Sequence, residues 1–287
     1  MSPMNNRLLV PRKTLGLLDL VPGAAAAYSL RSLSNSYADP VVTVRRSSDD
    51  AEDSFTASEV ADGTLAAFAG AGDGFVKQWW DQSGNARHAS QTTAGYQPKL
   101  VSSGVVILKE GKPALQFDGS DDFYSVAGLS YASQPFSAFF VAARKHTAAY
   151  PALLAESSGA TSGYLALGYT RFAVSDLGQI AIHRTGLATS PSNLIPGDNV
   201  QRLLLYSSSG ISSGSVSVDL RMDAVNSAAP VTHSSLSTAS TSIIGASKGG
   251  GADRLQGSIQ EIIVWQTVFD AAMTQLIEGN IAWGWSV

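Results

Sequence analysis

Short apolar runs follow one another along most of this 287-residue chain, and each run is bounded by Gly, Ser, Asp or Pro. Runs of this length and spacing predict β-strands joined by turns. The predicted strands are residues 41–44, 75–80, 104–108, 114–117, 136–143, 152–155, 164–167, 179–183, 203–206, 215–220, 242–244 and 258–265.

Two of these runs indicate how their strands are buried. Residues 136–143 are almost entirely apolar, which is typical of a central strand covered on both faces. Residues 215–220 alternate apolar and polar side chains, as a half-buried strand does. Helical patterns are fewer: we predict short helices at 24–33 and 64–68, and a closing helix that begins after Asp270 as its N-cap.

Many short strands with few helices predict an all-β fold, a concanavalin-like antiparallel β-sandwich of the jelly-roll kind. No internal repeat or linker divides residues 23–287, so we expect one sandwich domain. Residues 1–22 contain three prolines and the basic side chains Arg7, Arg12 and Lys13. They predict an extended N-terminal arm that lies on its own domain or docks onto a partner.

The composition narrows the function. Forty-four per cent hydrophobic residues are enough for a core, and a net charge of −4 gives no general attraction to nucleic acid. No apolar run is long enough to span a membrane. The absence of cysteine excludes thiolate metal sites and favours folding in a reducing cytosol. The apolar run near residue 15 is short and interrupted by Asp19, so we expect no cleaved signal peptide.

Two acidic motifs have simple structural interpretations. In residues 81–85 the Asp81 side chain is expected to bond amides of a turn in which Gly84 takes a positive φ. Asp118, Asp121 and Asp122 lie between two predicted strands and fit a hairpin. Their oxygens are weak candidates for a Ca²⁺ site, and we expect no other cofactor.

Two segments carry a family resemblance. Residues 27–123, with Trp-Asp-Gln-Ser-Gly-Asn at 80–85 and Phe-Asp-Gly-Ser-Asp-Asp-Phe at 117–123, resemble the amino-terminal half of the arabinofuranosidase-B-type catalytic domain. Residues 257–265 and the helix after them resemble the last strand and helix of that domain and of laminin-G-like jelly rolls. Domains with the same opening occur in tailed-phage virion proteins, and the cysteine-free chain resembles these more than the secreted enzymes.

The resemblance also implies where catalysis would lie. A retaining glycosidase needs two carboxyl groups about 5–5.5 Å apart. The family pattern places Glu156 at the nucleophile, but it places Gly250 where the general acid belongs, with Asp253 as a substitute three residues later. The pair is therefore expected to be incomplete, which favours a protein that is not an enzyme.

The leading hypothesis is a non-enzymatic structural protein of a tailed-phage virion: a capsid decoration, head-fibre or tail component that folds in the host cytoplasm. Residues 1–22 would dock it onto other virion proteins through Arg7, Arg12 and Lys13. A symmetric homo-oligomer is expected, with a trimer as the first expectation.

Two alternatives stay open. A module that binds host surface polysaccharide is compatible with the virion role, and Trp79, Tyr96, Tyr124 and Tyr150 are its candidate sugar-stacking side chains. An arabinofuranosidase-like glycoside hydrolase would use Glu156 and Asp253.

Overall fold

The computed structural model describes residues 15–145, 150–156, 165–170, 179–184, 188–233, 239–247 and 253–285. Its helical elements within these ranges are α1 (Leu17–Leu20), α2 (Ala57–Ala61), α3 (Thr64–Ala69), the 3₁₀ turn η1 (Ala94–Tyr96) and α4 (Ala271–Trp285). None of the helices in the described part is both long and apolar enough to cross a bilayer.

The strands are short and are distributed along the whole of the described chain. The first half contains β1 (Ala26–Ser29), β2 (Val42–Arg46), β3 (Glu52–Phe55), β4 (Gly74–Trp79), β5 (Ala89–Ser90), β6 (Lys99–Ser102), β7 (Val105–Val106), β8 (Leu108–Lys109), β9 (Lys112–Pro113), β10 (Leu115–Asp118) and β11 (Tyr124–Ala127). The second half contains β12 (Phe136–Arg144), β13 (Ala152–Glu156), β14 (Leu165–Tyr169), β15 (Ile180–Arg184), β16 (Ala188–Pro191), β17 (Arg202–Ser208), β18 (Val216–Met222), β19 (Val225–Asn226), β20 (Val231–His233), β21 (Thr241–Ile244) and β22 (Gln256–Trp265).

Antiparallel pairing arranges these strands in two layers, which confirms the predicted β-sandwich. The first layer runs β3–β2–β4–β6–β10–β22–β12–β17–β18–β20, and β1 pairs with the second half of β22. The second layer runs β5–β11–β21–β13–β14–β15–β16. Strand β5 also pairs with β4, so the two layers are continuous at that edge.

The core lies between the layers. All nine residues of β12 are buried, as predicted for a central strand, and β18 alternates buried and exposed side chains as predicted. Two tyrosines cross between the layers: Tyr206 of β17 donates to the carbonyl of Gly168 in β14 at 2.7 Å, and Tyr124 of β11 donates to the carbonyl of Val76 in β4 at 2.9 Å. These bonds satisfy buried phenol groups and fix how one layer lies on the other.

The predicted helix at 24–33 is wrong, because its central residues form strand β1. The helix propensity of its alanines is overridden by pairing with β22, in which Ala27 lies opposite Ile263. The predicted helix at 64–68 is confirmed as α3, and the closing helix as α4. The side chain of Asp270 accepts the Met273 N–H at 2.8 Å, as an N-cap does.

Residues 15–22 of the predicted arm are not simply extended. They contain α1, whose Leu17 is fully buried in the core, and the Leu18 N–H donates to the carbonyl of Leu33 at 2.8 Å. The remainder of the arm, with Arg7, Arg12 and Lys13, lies outside the described residues. Helix α2 was missed, although its capping box of Thr56 and Glu59 is a helix-start signal that the sequence contains.

Candidate functional site

The turn at residues 81–85 is a structural anchor, as predicted. Asp81 Oδ1 accepts the N–H groups of Ala27 (2.8 Å) and Ser83 (2.9 Å), and its Oδ2 accepts the Arg87 N–H (3.0 Å). Gly84 has φ +87°, the left-handed conformation that favours glycine. The carboxylate therefore holds β1 against the turn, and all its acceptor capacity is used locally.

Glu156, the candidate nucleophile, ends β13 with its side chain fully buried. Its Oε1 accepts the main-chain N–H groups of Tyr131 at 2.6 Å and Ala132 at 2.7 Å. The Ser130 hydroxyl donates to the same oxygen at 3.1 Å, and the Ala239 N–H donates to Oε2 at 3.1 Å. Burial raises the pKa of Glu156, whereas these four hydrogen bonds act to lower it. The carboxylate thus joins two loops to the end of the strand.

Asp253, the candidate acid, lies at the other end of the same strands. Its Oδ1 accepts the Tyr150 N–H at 3.2 Å, just before β13 begins, and its Oδ2 accepts the Ser247 hydroxyl at 3.3 Å, just after β21 ends. Glu156 ends β13 and lies opposite Ser242 at the start of β21. Five or six residues of extended chain separate the two sites, roughly 15–20 Å. Glu156 and Asp253 are therefore too far apart to form a glycosidase pair.

Of the four predicted sugar-stacking side chains, two are wrong. Trp79 and Tyr124 are fully buried, because they lie on inward-facing positions of β4 and β11, and they cannot stack on a sugar. Tyr96 is 37% exposed and packs against Phe123 with ring centroids 5.9 Å apart. Tyr150 is half-buried.

The three candidate Ca²⁺ ligands do come together. One carboxylate oxygen from each of Asp118, Asp121 and Asp122 lies within 4.8 Å of the others. Asp118 Oδ1 accepts the N–H groups of Ser120 (2.7 Å) and Asp121 (3.3 Å), and Asp122 Oδ2 accepts the Asp118 N–H (2.8 Å). The turn amides therefore occupy two of the three carboxylates, and Ca²⁺ normally requires six to eight oxygen ligands.

A groove of about 710 Å³ lies on the outer face of the first layer, away from Glu156 and Asp253. A row of directly paired residues on five neighbouring strands crosses it: Arg45 (β2) lies opposite Phe75 (β4), Phe75 opposite Lys99 (β6), Lys99 opposite Gln116 (β10), and Gln116 opposite Ser258 (β22). Because opposed residues share a face of the sheet, this row forms the floor. We call it the cross-strand row.

The β8–β9 hairpin and a loop form the walls at the β22 end. Ile107, Leu108 and Lys109 line one side, and Lys145 and Asn199 line the other. The Lys109 ammonium donates to the carbonyl of Asn199 and so connects the two walls. The groove is therefore open along the row and bridged at one end.

The basic side chains that line the groove differ in whether a carboxylate pairs with them. Arg45 and Lys99 pair with carboxylates that do not line the groove, at 2.5 Å to Asp50 and 2.7 Å to Asp73. Lys145 is exposed and makes no ion pair with any described residue.

Asp118 and Asp122 are the carboxyl groups that line the groove among the described residues. Burial raises the pKa of Asp122 to about 7, and the charges of Asp118 and Asp121 add to the rise. The guanidinium of Arg254, 4.6 Å from the Phe123 ring, acts in the opposite direction. Near neutral pH, Asp122 is therefore only partly ionised.

Sequence reasoning missed this groove. Its floor joins residues from 45 to 258, and the strand register that opposes them follows from pairings between distant segments. The available signal was the outward polar positions of the individual strands, such as Gln116 between two buried residues of β10. That signal does not say which strands are neighbours.

Comparison with solved structures identifies the fold. A GH54 α-L-arabinofuranosidase soaked with a cyclic sulfate inhibitor superposes with a TM-score of 0.66 and 16% identity, over 93% of this chain and 65% of its own. An arabinofuranosidase complexed with arabinofuranosyl-α-1,2-xylobiose gives 0.66 and 16%, over 93% and 64%. A Trypanosoma rangeli sialidase in complex with 2,3-difluorosialic acid gives 0.50 and 12%, over 72% and 31%.

These likenesses show that the chain has a β-sandwich fold similar to that of the two arabinofuranosidase structures. At such low identity they show the fold alone, and the chain spans about 65% of the length of the arabinofuranosidases it matches. No protein-family description matches the sequence, and no curated protein does. The activity must therefore be argued from the site.

Proposed function

We propose that this chain is a non-catalytic β-sandwich displayed on a tailed-phage particle, as a capsid decoration, head-fibre or tail component that faces host glycan. The observation that carries the non-catalytic part is the position of Glu156, whose carboxylate is buried and accepts four hydrogen bonds from the protein. A nucleophilic carboxylate must instead be free to reach an anomeric carbon.

The separation of the two candidate carboxyls supports the same proposal. With Asp253 bound near the start of β13 and Glu156 at its end, neither a retaining nor an inverting geometry is formed by this pair. The virion location is proposed from the resemblance of the opening segment and from the cysteine-free composition.

Docking on the particle is proposed for the residues that precede the sandwich. Since Leu17 and Val21 are buried in the core, a deletion that reaches residue 22 would damage the fold as well as the arm. Deleting residues 2–14 removes Arg7, Arg12 and Lys13 and keeps Leu17 and Val21. We expect the truncated chain to fold with an unchanged unfolding midpoint and to be absent from purified particles; normal incorporation would contradict docking by this segment.

An arabinofuranosidase-like hydrolase is the second candidate, and the fold likeness over 93% of this chain favours it. The assay uses 4-nitrophenyl α-L-arabinofuranoside with the full-length protein. If the chain is an enzyme of this type, Glu156→Gln abolishes turnover while Asp219→Asn, an exposed strand position, does not. Turnover that depends on Glu156 would overturn the non-catalytic proposal. Wild-type turnover no higher than that of the Glu156→Gln variant would support it.

A further inference from the structure

The groove floor is long and narrow. Neighbouring strands lie about 4.8 Å apart, so the cross-strand row from Arg45 to Ser258 extends over about 19 Å. The β8–β9 hairpin and Asn199 stand beside the floor at its β22 end, where the Lys109 ammonium bridges them. A floor of this shape fits a segment of a linear polymer better than a compact small molecule.

Ser258 places a hydroxyl without a hydrogen-bond partner in the groove. It lines the cavity, its residue is only 8% exposed, and its hydroxyl has no hydrogen-bond partner in the part of the chain that the structure describes. A buried hydroxyl without a partner destabilises the folded protein. A ligand in the groove would provide the missing partner.

The amides beside Ser258 have the chemistry that sugar hydroxyls need. Gln116 lies opposite Ser258, and Gln256 lies opposite Asp118 on the same pair of strands. Both side chains line the groove, and neither donates to nor accepts from another described residue. Each amide offers donors and an acceptor, and each sugar hydroxyl is both donor and acceptor.

The β22 end of the groove carries positive charge that is available to a ligand. Lys145 has no carboxylate partner in the described part, and the ammonium of Lys109 donates to the main-chain carbonyl of Asn199. Asp118 and Asp122 line the same groove, but Asp122 is partly protonated near neutral pH, and the charge of Arg254 acts on both carboxyls. Two ammonium groups therefore lack a full counter-charge.

The wall that carries Lys109 is held in place. The side-chain NH2 group of Gln260 on β22 lies within hydrogen-bond distance of the carbonyls of Lys109 (3.2 Å), Lys112 (3.2 Å) and Pro113 (3.1 Å), which share its two N–H donors. These bonds fix the β8–β9 hairpin on the sheet. A preformed wall lowers the entropy that binding must overcome.

We propose that the groove binds an acidic polysaccharide, a linear glycan whose sugars carry carboxylate groups. Gln116, Gln256 and Ser258 bind its hydroxyls, and Lys109 and Lys145 bind its carboxylates. This inference rests on the proposed glycan-facing, non-catalytic function and names the surface and the class of glycan.

The test measures binding of polygalacturonate to the full-length protein by calorimetry, with neutral arabinan as the uncharged comparison. Wild type is expected to bind polygalacturonate at least about tenfold more tightly than arabinan. Ser258→Ala and Lys145→Gln should each weaken binding about five- to tenfold, the loss of one hydrogen bond or charged contact. The matched control is Lys112→Gln, since Lys112 lies opposite Lys109 on the same hairpin but does not line the groove.

Three outcomes would overturn the groove assignment. They are no binding of polygalacturonate by wild type, equal weakening by Lys112→Gln and Lys145→Gln, and equally tight binding of a DNA duplex, which would indicate general attraction to polyanions. Each leaves the non-catalytic proposal intact, because that proposal fails only on Glu156-dependent turnover. Unchanged unfolding midpoints of the variants exclude misfolding as the cause of weaker binding.

Discussion

Two buried polar side chains on strands, Glu156 in the second layer and Ser258 in the first, have opposite surroundings. The Glu156 carboxylate accepts four hydrogen bonds from the protein, whereas the Ser258 hydroxyl has no partner in the described chain and lines a groove. A family resemblance made Glu156 a candidate functional residue, whereas the register of the sheet places Ser258 in the groove. A buried group that the protein satisfies serves the fold, and one left unsatisfied at a cavity wall is available to a ligand.

This difference gives each residue a different expected phenotype. Substitution at Glu156 should reduce stability without changing binding in the groove. Substitution at Ser258 should reduce binding without reducing stability. The two can be distinguished by measuring both quantities on the same variants.

The largest effect is expected for Glu156→Ala. Its removal leaves the N–H groups of Tyr131, Ala132 and Ala239 without their acceptor, and each unsatisfied buried donor costs about 1–3 kcal/mol. We expect the free energy of unfolding to fall by about 3 kcal/mol or more in urea titrations at neutral pH. Binding of polygalacturonate per folded molecule should be unchanged.

Two variants check that interpretation. Glu156→Gln keeps an acceptor for the three donors at Oε1 but presents an amide N–H group to the Ala239 N–H, so its cost should be smaller, about 1–2 kcal/mol. Asp219→Ala, at an exposed position of β18, should change the free energy by less than about 0.5 kcal/mol. A loss for Glu156→Ala no larger than for Asp219→Ala would contradict a structural role for Glu156.

Asp122 is expected to make stability depend on pH. Its pKa in the fold is raised to about 7, mainly by burial, so the folded state holds a proton that the unfolded state releases near pH 4. Stability from this group therefore falls as pH rises from about 4 to 7. At pH 8, Asp122→Asn should be more stable than wild type by at least about 2 kcal/mol, because the buried wild-type carboxyl is then ionised.

Urea titrations at pH 5 and pH 8 check the sign. The advantage of Asp122→Asn should shrink toward pH 5, because the wild-type carboxyl is then mostly protonated in the fold. Asp219→Asn makes the same chemical change at an exposed strand position and is the matched control. An advantage of equal size at both pH values would exclude titration of Asp122 as its cause.

The sequence correctly predicted the structural features that depend on residues close to one another in the chain. The burial of β12, the alternation of β18, the Asp81 turn and the Asp270 cap follow from local periodicity or from bonds across a few residues. These features agree with the structure because the local preference and the tertiary environment favour the same conformation.

What the sequence could not predict depends on which strands become neighbours. Trp79 and Tyr124 were predicted as sugar-stacking side chains, but the register turns both side chains into the core. The family resemblance identified Glu156 by residue type, but it could not show that loop amides from residues 131, 132 and 239 donate to the carboxylate. The cross-strand row likewise requires pairings that link residue 45 to residue 258.

Ser258→Ala should have a small effect on stability, and in the opposite direction to Glu156→Ala. The substitution removes a buried hydroxyl that has no partner in the described chain, so the free energy of unfolding should stay the same or rise by up to about 1 kcal/mol. Differential scanning calorimetry without glycan measures this effect. A clear loss of stability would mean that the protein satisfies this hydroxyl, and the contrast with Glu156 would disappear.

The smallest effect is expected for calcium. Asp118, Asp121 and Asp122 form a cluster at the edge of the groove. If the turn uses their oxygens, the cluster is satisfied by the protein, as Glu156 is. If the oxygens are open to a ligand, the cluster resembles Ser258. The turn amides already occupy two of the three carboxylates, and Arg254 adds a cation beside them. We therefore expect millimolar CaCl₂, compared with EDTA, to shift the unfolding midpoint by less than about 1 °C. A rise of several degrees that Asp118→Asn removes would instead make this cluster a metal site.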